Sequence, residues 1–162
     1  MGKPLRWGAA PTNPKTMVMN YSTMLFSFTG RLNRARYWLA GITTAIVGML
    51  IVLGIALGAG RAHPAEVALA LAVFLALIWI NLALAIKRLH DREKSAWWLL
   101  LFYVAPSILE VIGPRVGSNV NVLLSLVGAG ISIWAFLEIG CLRGTVGPNS
   151  YGPDPLHVGT AA

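Results

Sequence analysis

The sequence predicts an all-α membrane protein: a four-transmembrane-helix bundle with an N-terminal interfacial amphipathic helix and an ordered cytoplasmic C-terminal tail. Three observations carry this expectation. The 162 residues are 56% hydrophobic and only 12% charged, where a soluble domain carries about 25% charged residues. Mean hydropathy is +0.67, and a chain this short has too high a surface-to-volume ratio to hide so much apolar surface from water. The apolar residues are also gathered into long uninterrupted runs. A soluble enzyme is excluded on these grounds. A wholly disordered chain is excluded too, because disordered segments are poor in apolar residues.

Residues 1–16 read as a disordered cytoplasmic N-terminus, 17–156 as one membrane domain and 157–162 as a tail. The start, MGKPLRWGAAPTNPK, is polar and lacks the apolar core of a signal peptide. Arg6 stands where a myristoylation signal wants Ser or Thr. From Met17 to Phe28, the residues Met17, Tyr21, Met24, Leu25 and Phe28 share one helical face. Asn20, Ser22, Thr23 and Ser27 fall off that stripe, although Met19 and Phe26 blur it. A short helix lying in the membrane interface fits this pattern.

Four apolar runs follow, about 37–58, 65–86, 96–113 and 120–142. A helix needs ~20 apolar residues to cross ~30 Å of hydrocarbon, and unpaired backbone is not tolerated there, so the runs are helices. The third is the shortest, and Pro106 should kink it by removing a backbone donor. Gly54 and Gly58, and likewise Gly128 and Ser132, have the four-residue spacing that lets helices approach closely.

Formal net charge is +7. In a soluble protein that excess would suggest nucleic acid, but here it is the positive-inside bias and no nucleic acid is expected. Lys3, Arg6, Lys15, Arg31, Arg34 and Arg36 precede the first run; Lys87, Arg88, Arg92 and Lys94 lie between the second and third; Arg143 follows the fourth. Only Arg61 and Arg115 fall on the opposite side. The sequence therefore predicts a multi-pass membrane protein with both termini and the middle loop cytoplasmic. With one cysteine, Cys141, no internal disulfide forms.

Three polar clusters carry whatever chemistry the chain has. The first runs from Gly30 to Trp38 and holds Arg31, Arg34 and Arg36. Gly30 permits a sharp turn, and Asn33 is a candidate N-cap for the first long helix. Arginines at the inner surface anchor topology, and they also grip phosphate with paired hydrogen bonds. The second runs from Lys87 to Trp98 and holds Arg88, His90, Asp91 and Glu93. His90 and Asp91 are adjacent, so on a helix they do not face each other. Asp91 and Glu93 are expected to pair with arginines of the first cluster. No metal or other cofactor is expected, since a site at His90 needs further ligands, His63 is placed on the opposite side of the membrane and His157 in the distal tail. The third cluster is the tail from Arg143 to Pro155, a series of turns carrying Asn149, Tyr151 and Asp154.

Asn81, Glu110 and Glu138 are polar residues inside the apolar runs, and such residues are functional candidates by default. Glu138 and Asn81 are expected near the cytoplasmic end, within reach of Lys87, Arg88 or Arg34. Glu110 is expected to neutralise Arg115 nearer the outer surface.

Taken together, the motifs Gly30-Arg31 through Arg34 to Tyr37-Trp38, Arg88-Leu89-His90-Asp91 through Ser95 to Trp97-Trp98, and Asn149-Ser150-Tyr151-Gly152-Pro153-Asp154-Pro155 resemble the domain-of-unknown-function family 805. That resemblance covers about Tyr21 to Leu156 and implies a small bacterial inner-membrane protein. One departure is Arg92-Glu93-Lys94, where the family usually has a small or glycine-rich stretch. The family carries no established activity.

All three motifs fall on the cytoplasmic side. Arg31, Arg34, Arg88, His90, Asp91, Asn149, Tyr151 and Asp154 are therefore expected to converge in one polar cap, roofed by Glu138 and Asn81. The reading favoured by the sequence is a non-enzymatic module whose cap binds membrane lipid through anionic headgroups, or a protein partner. The alternative is a small transporter or channel subunit acting as a homo-oligomer, with Glu110, Glu138 and Asn81 along its path. A membrane enzyme using His90 and Asp91 lacks a nucleophile or a complete ligand set.

Overall fold

The structure, a computed structural model, describes residues 21–58 and 63–156. The expectations for 1–16 and 157–162, the Met17 end of the amphipathic stripe, and Arg61 lie outside those residues. The described chain is helical apart from the connections between helices, the stretch 27–33 and the tail 142–156. Its helices are α1 (Tyr21–Phe26), α2 (Arg34–Leu57), α3 (Pro64–Asp91), α4 (Ala105–Ile112) and α5 (Ser118–Ala135). A π-helical segment, Leu100–Val104, leads into α4, and a second, Phe136–Cys141, continues α5. A 3₁₀ turn, Gly113–Arg115, closes α4.

Local chemistry sets these boundaries. The Asn33 side chain accepts the Arg36 N–H at 2.9 Å, an N-cap for α2. Pro64 opens α3, where its missing donor costs nothing, and Glu66 reaches back to the His63 N–H at 3.2 Å. The far end of α3 differs from expectation. The apolar run ends at residue 86, which puts Lys87 to Asp91 in the following loop, whereas in the structure they complete the helix. Hydropathy drops at Lys87, yet its charge and that of Arg88 are met by tertiary partners, so the helix continues through them.

Three helices, Arg34–Ile55, Pro64–Asp91 and Ser118–Cys141, are long and apolar enough to cross a membrane. The third apolar run is helical too but is assembled from the first π segment, α4 and the 3₁₀ turn. Pro106 explains the break. It cannot donate to the carbonyl four residues back, and its ring crowds that carbonyl, which the wider π turn relieves. Ser107 Oγ then donates to the Tyr103 carbonyl at 2.8 Å.

The helices form two antiparallel hairpins. In the first, Gly48 of α2 lies against Leu77 of α3. In the second, Gly128 of α5 lies against Pro106 of α4, so the small residue at 128 allows the expected close approach. A Cβ on Gly54, by contrast, would meet open space. The hairpins join where the second π segment lies against α2 and α3. Here sits the core of Ala85, Leu89, Leu99, Phe102 and Ile139, with Trp98 and Tyr37 packed on it. Trp134 meets Trp98 and Phe102 edge to face at 5.6 and 5.3 Å, and Trp98 lies tilted against Phe102 at 5.6 Å. Away from this joint the helices are largely bare, and only 6% of the apolar window of α2 is buried. Such a surface is stable only against lipid or another apolar body.

The N-terminal segment packs along α3. Lys87 Nζ donates to the Thr23 and Met24 carbonyls at 2.5 and 2.6 Å. Farther up α3, Trp79 packs tilted against Phe28 at 4.8 Å and donates to the Phe26 carbonyl. Gly30, with φ +92°, then turns the chain back, and the Leu32 N–H reaches the Lys87 carbonyl. Lys87 and Trp79 are about 12 Å apart along the helix axis, so the segment dips along α3 and returns.

Candidate functional site

A helix ends with carbonyls that have no intrahelical partner and with a partial negative charge. In the second π segment that end is enlarged, since Leu142 N–H bonds five residues back to Leu137. Five consecutive carbonyls, Ile139 to Arg143, are each met by a side chain from the other hairpin or the loop after it. Arg88 Nε donates to Ile139 O at 2.8 Å, and its Nη2 to Leu142 O. Trp38 Nε1 donates to Gly140 O at 3.0 Å, Arg34 to Cys141 O at 2.9 Å and Arg92 to Arg143 O at 2.6 Å. The hairpins are thus locked together by cations set on a helix C-terminus.

Asp91 is the node beneath this lock. Its carboxylate takes Arg31 Nε at 3.0 Å on one oxygen and Arg88 Nη1 on the other. Arg88 is fully buried, and Arg31 and Asp91 are 4% and 3% exposed. Buried charge at this depth is tolerated only when its hydrogen-bonding groups are satisfied. Arg31 also donates to the carbonyls of Thr145 at 2.5 Å and Gly147 at 2.6 Å. Two arginines against one carboxylate leave a positive excess, which the negative helix end offsets. Gly144 passes so close that a Cβ there would collide with the Asp91 carboxylate.

The tail is stitched over this node. Thr145 N–H donates to Asp91 O at 2.8 Å. The Asn149 amide donates to His90 O at 2.8 Å and to Thr145 Oγ1 at 2.9 Å, and its oxygen accepts the Tyr151 N–H at 2.9 Å. The His90 ring stacks on Tyr151 with centroids 3.9 Å apart, and its Nδ1 lies 3.3 Å from Gly30 O. The Asp154 carboxylate accepts the N–H groups of Gly147 and Leu156, each at 2.9 Å. His90 and Asp91 point to different partners, as neighbours on a helix must.

Arg31, Arg34, Arg88, His90, Asp91, Asn149, Tyr151 and Asp154 therefore occupy one end of the molecule, with Glu138 beside them. Several pairings differ from expectation. Glu138 bonds Arg92 at 2.9 Å and lies 3.7 Å from Lys94, rather than meeting Lys87, Arg88 or Arg34. Lys94 in turn sits 4.0 Å over the Trp98 ring. Glu93 accepts from Ser150 Oγ at 3.0 Å and pairs with no arginine among the described residues. Asn81 does not roof the cap. It bonds Leu77 O at 2.8 Å and Thr44 Oγ1 at 3.4 Å, because it stands about 15 Å up the helix from Asp91. Glu110 does not pair with Arg115, whose guanidinium turns to the Val111 carbonyl. Five residues apart on a helix leaves two side chains about 140° apart. The roles of Gly144 and Thr145 went unread, since backbone contacts leave no mark in residue type. Arg92 and Lys94 were visible as charges, but not as partners of Glu138.

A cavity of about 510 Å³ opens onto the node, lined by Arg34, Trp38, Arg88, Asp91, Arg143 and Gly144 among others. A second, of about 370 Å³, opens between the hairpins and contains Glu110.

Apolar hairpins stripped of a water-compatible surface and locked at one end by buried ion pairs define an integral membrane protein. The chain belongs to the family described as "Protein of unknown function (DUF805)", whose model matches residues 25–153. It is 36% identical to the inner membrane protein YhaI of Escherichia coli K12, over 79% of this chain and 85% of that protein. It is 32% identical to the uncharacterized protein YiiR of the same organism, over 86% and 93%. The inner membrane protein YhaH of that strain is 29% identical over 79% and 86%. No solved structure matches the chain.

Proposed function

We propose that the protein is a non-enzymatic binding module that crosses the inner membrane four times with both termini cytoplasmic. In this reading the pocket beside the Asp91 node holds the phosphate of an anionic lipid headgroup. Crossing by the third run is supported by its length: 98–115 spans about 27 Å at 1.5 Å per residue, close to the hydrocarbon thickness of ~30 Å. Orientation is supported by the lysine and arginine bias.

The carrying observation is the division of labour among the arginines. Arg31 and Arg88 are buried and held by the Asp91 carboxylate, and Arg88 and Asp91 form part of the wall of the 510 Å³ pocket, whereas Arg34 and Arg143 line it as exposed cations that no carboxylate pairs among the described residues. The first turn of α2 borders the same space, and the positive end of its helix dipole favours an anion. Native mass spectrometry in mild detergent with added phosphatidylglycerol tests the reading. Wild type should retain the anionic lipid, and a variant with both Arg34→Gln and Arg143→Gln should lose it. Equal retention by both proteins would reject the headgroup site. The same spectra report whether the chain flies as a homo-oligomer.

A further inference from the structure

The cleft between the hairpins has a composition unlike the pocket at the cap. Its walls carry Tyr37, Trp38, Phe102, Tyr103 and Phe136, and Glu110 lies among them. Ser107 and Ser132 also border it, but their hydroxyls are committed to the Tyr103 and Gly128 carbonyls of their own helices. Glu110 is exposed to the cleft and, among the described residues, has no basic side chain within ion-pair distance. A lone carboxylate at membrane depth is costly and calls for a partner.

The surroundings say what kind of partner. Aromatic faces carry negative potential and attract cations within about 6 Å. Tyr37 and Trp38 meet edge to face at 5.8 Å, as do Trp38 and Phe136, so the aromatic wall is continuous. A divalent metal ion asks for a cage of several oxygens, and this cleft offers one carboxylate. The volume of about 370 Å³ falls in the range of small-molecule sites. Tyr103 and Phe136 are more than half exposed, so the opening faces the bilayer and admits a ligand that dissolves there. Both π segments contribute walls, Phe102 and Tyr103 from one and Phe136 from the other. Such segments recur at functional sites because they re-aim side chains out of helical register.

We propose that this cleft binds lipophilic organic cations, alkyl- or aryl-substituted ammonium or phosphonium ions, through an ion pair with Glu110 and contact with the faces of Tyr37, Trp38, Tyr103 and Phe136. The test uses the full chain in nanodiscs of phosphatidylglycerol, with tetraphenylphosphonium as the probe and equilibrium dialysis as the readout. Wild type should bind saturably. Glu110→Gln should weaken binding about tenfold or more, the equivalent of about 1.4 kcal/mol. Tyr103→Leu should weaken it by a smaller factor, with helicity and melting of both variants unchanged. A parallel set of nanodiscs containing phosphatidylethanolamine separates the sources of the cation. Competition there identifies a lipid amine as the resident ligand, and its absence a free cation. Failure of wild type to saturate, or equal binding by wild type and Glu110→Gln, overturns the proposal.

Discussion

Asp91 differs from the other acids in being the one carboxylate that two buried guanidiniums share. Removing its charge while keeping its shape leaves Arg31 and Arg88 facing each other across an amide. Breaking a buried pair in this way costs about 3–5 kcal/mol. Asp91→Asn should therefore lower the melting temperature in detergent by many degrees, and a melt matching wild type would show that the node is not structural. Arg34→Gln is the contrast. Its side chain is exposed and gives the clamp one hydrogen bond, to Cys141 O, so its melt should stay close to wild type. The Arg31, Arg88, Asp91 and Asn149 grouping was legible because charged and amide side chains stand out in an apolar chain. The bonds that seat the tail were not, since they end on the carbonyls of Thr145 and Gly147. Those would be the same with almost any residue there. Glu110 was misread for a related reason: proximity in sequence says nothing about which side of a helix two groups occupy.

At the scale of elements, the joint between hairpins depends on the second π segment fitting under α2. A Cβ at Gly140 would come 2.8 Å from Trp38 Cζ2, so the indole or the segment must move. Overpacking of this kind costs about 1–3 kcal/mol. Gly140→Ala should lower the melting temperature and shift the tryptophan emission, and an unchanged spectrum would mean that the joint is softer than drawn. Lys87 does comparable work for α1. Lys87→Met keeps the bulk but removes both donors to Thr23 O and Met24 O, bonds to a charged group worth about 1.5–3 kcal/mol each. Faster hydrogen exchange confined to residues 21–29 is the expected result. Exchange that rose everywhere, or nowhere, would contradict it. Hydropathy located the long helices well but ended α3 at residue 86, because charge looks like a loop until its partners are known. Pro106 announced a break in the third run, whereas nothing in the residues from Phe136 to Cys141 announced the second π segment.

For the whole molecule, composition and charge distribution settled what kind of body this is, yet not how its hairpins lean on one another. In lipid the faces that pack and the faces that do not are equally apolar, so the sequence carries little trace of the cleft between them. The same ambiguity makes the third run the decisive place to test topology. It is the shortest, it is widened by a π turn, and a short span is accommodated by local thinning of the bilayer rather than by refusal to cross. The test starts from a Cys141→Ser background, since Cys141 is exposed. Single cysteines at Ser95 and at Ser118 then bracket the run. With a membrane-impermeant maleimide, Ser95→Cys should react only in inside-out vesicles, and Ser118→Cys only in intact spheroplasts. If both react from one side, the third run does not cross and the chain passes through the membrane an odd number of times. Its two ends would then lie on opposite faces. The proposed topology puts them on one face, which agrees with the bonds of Arg31, at the entry to the first hairpin, to Thr145 and Gly147, beyond the exit of the second. On the proposed topology the clamp ties the start of the membrane domain to its end on one face, as four crossings require.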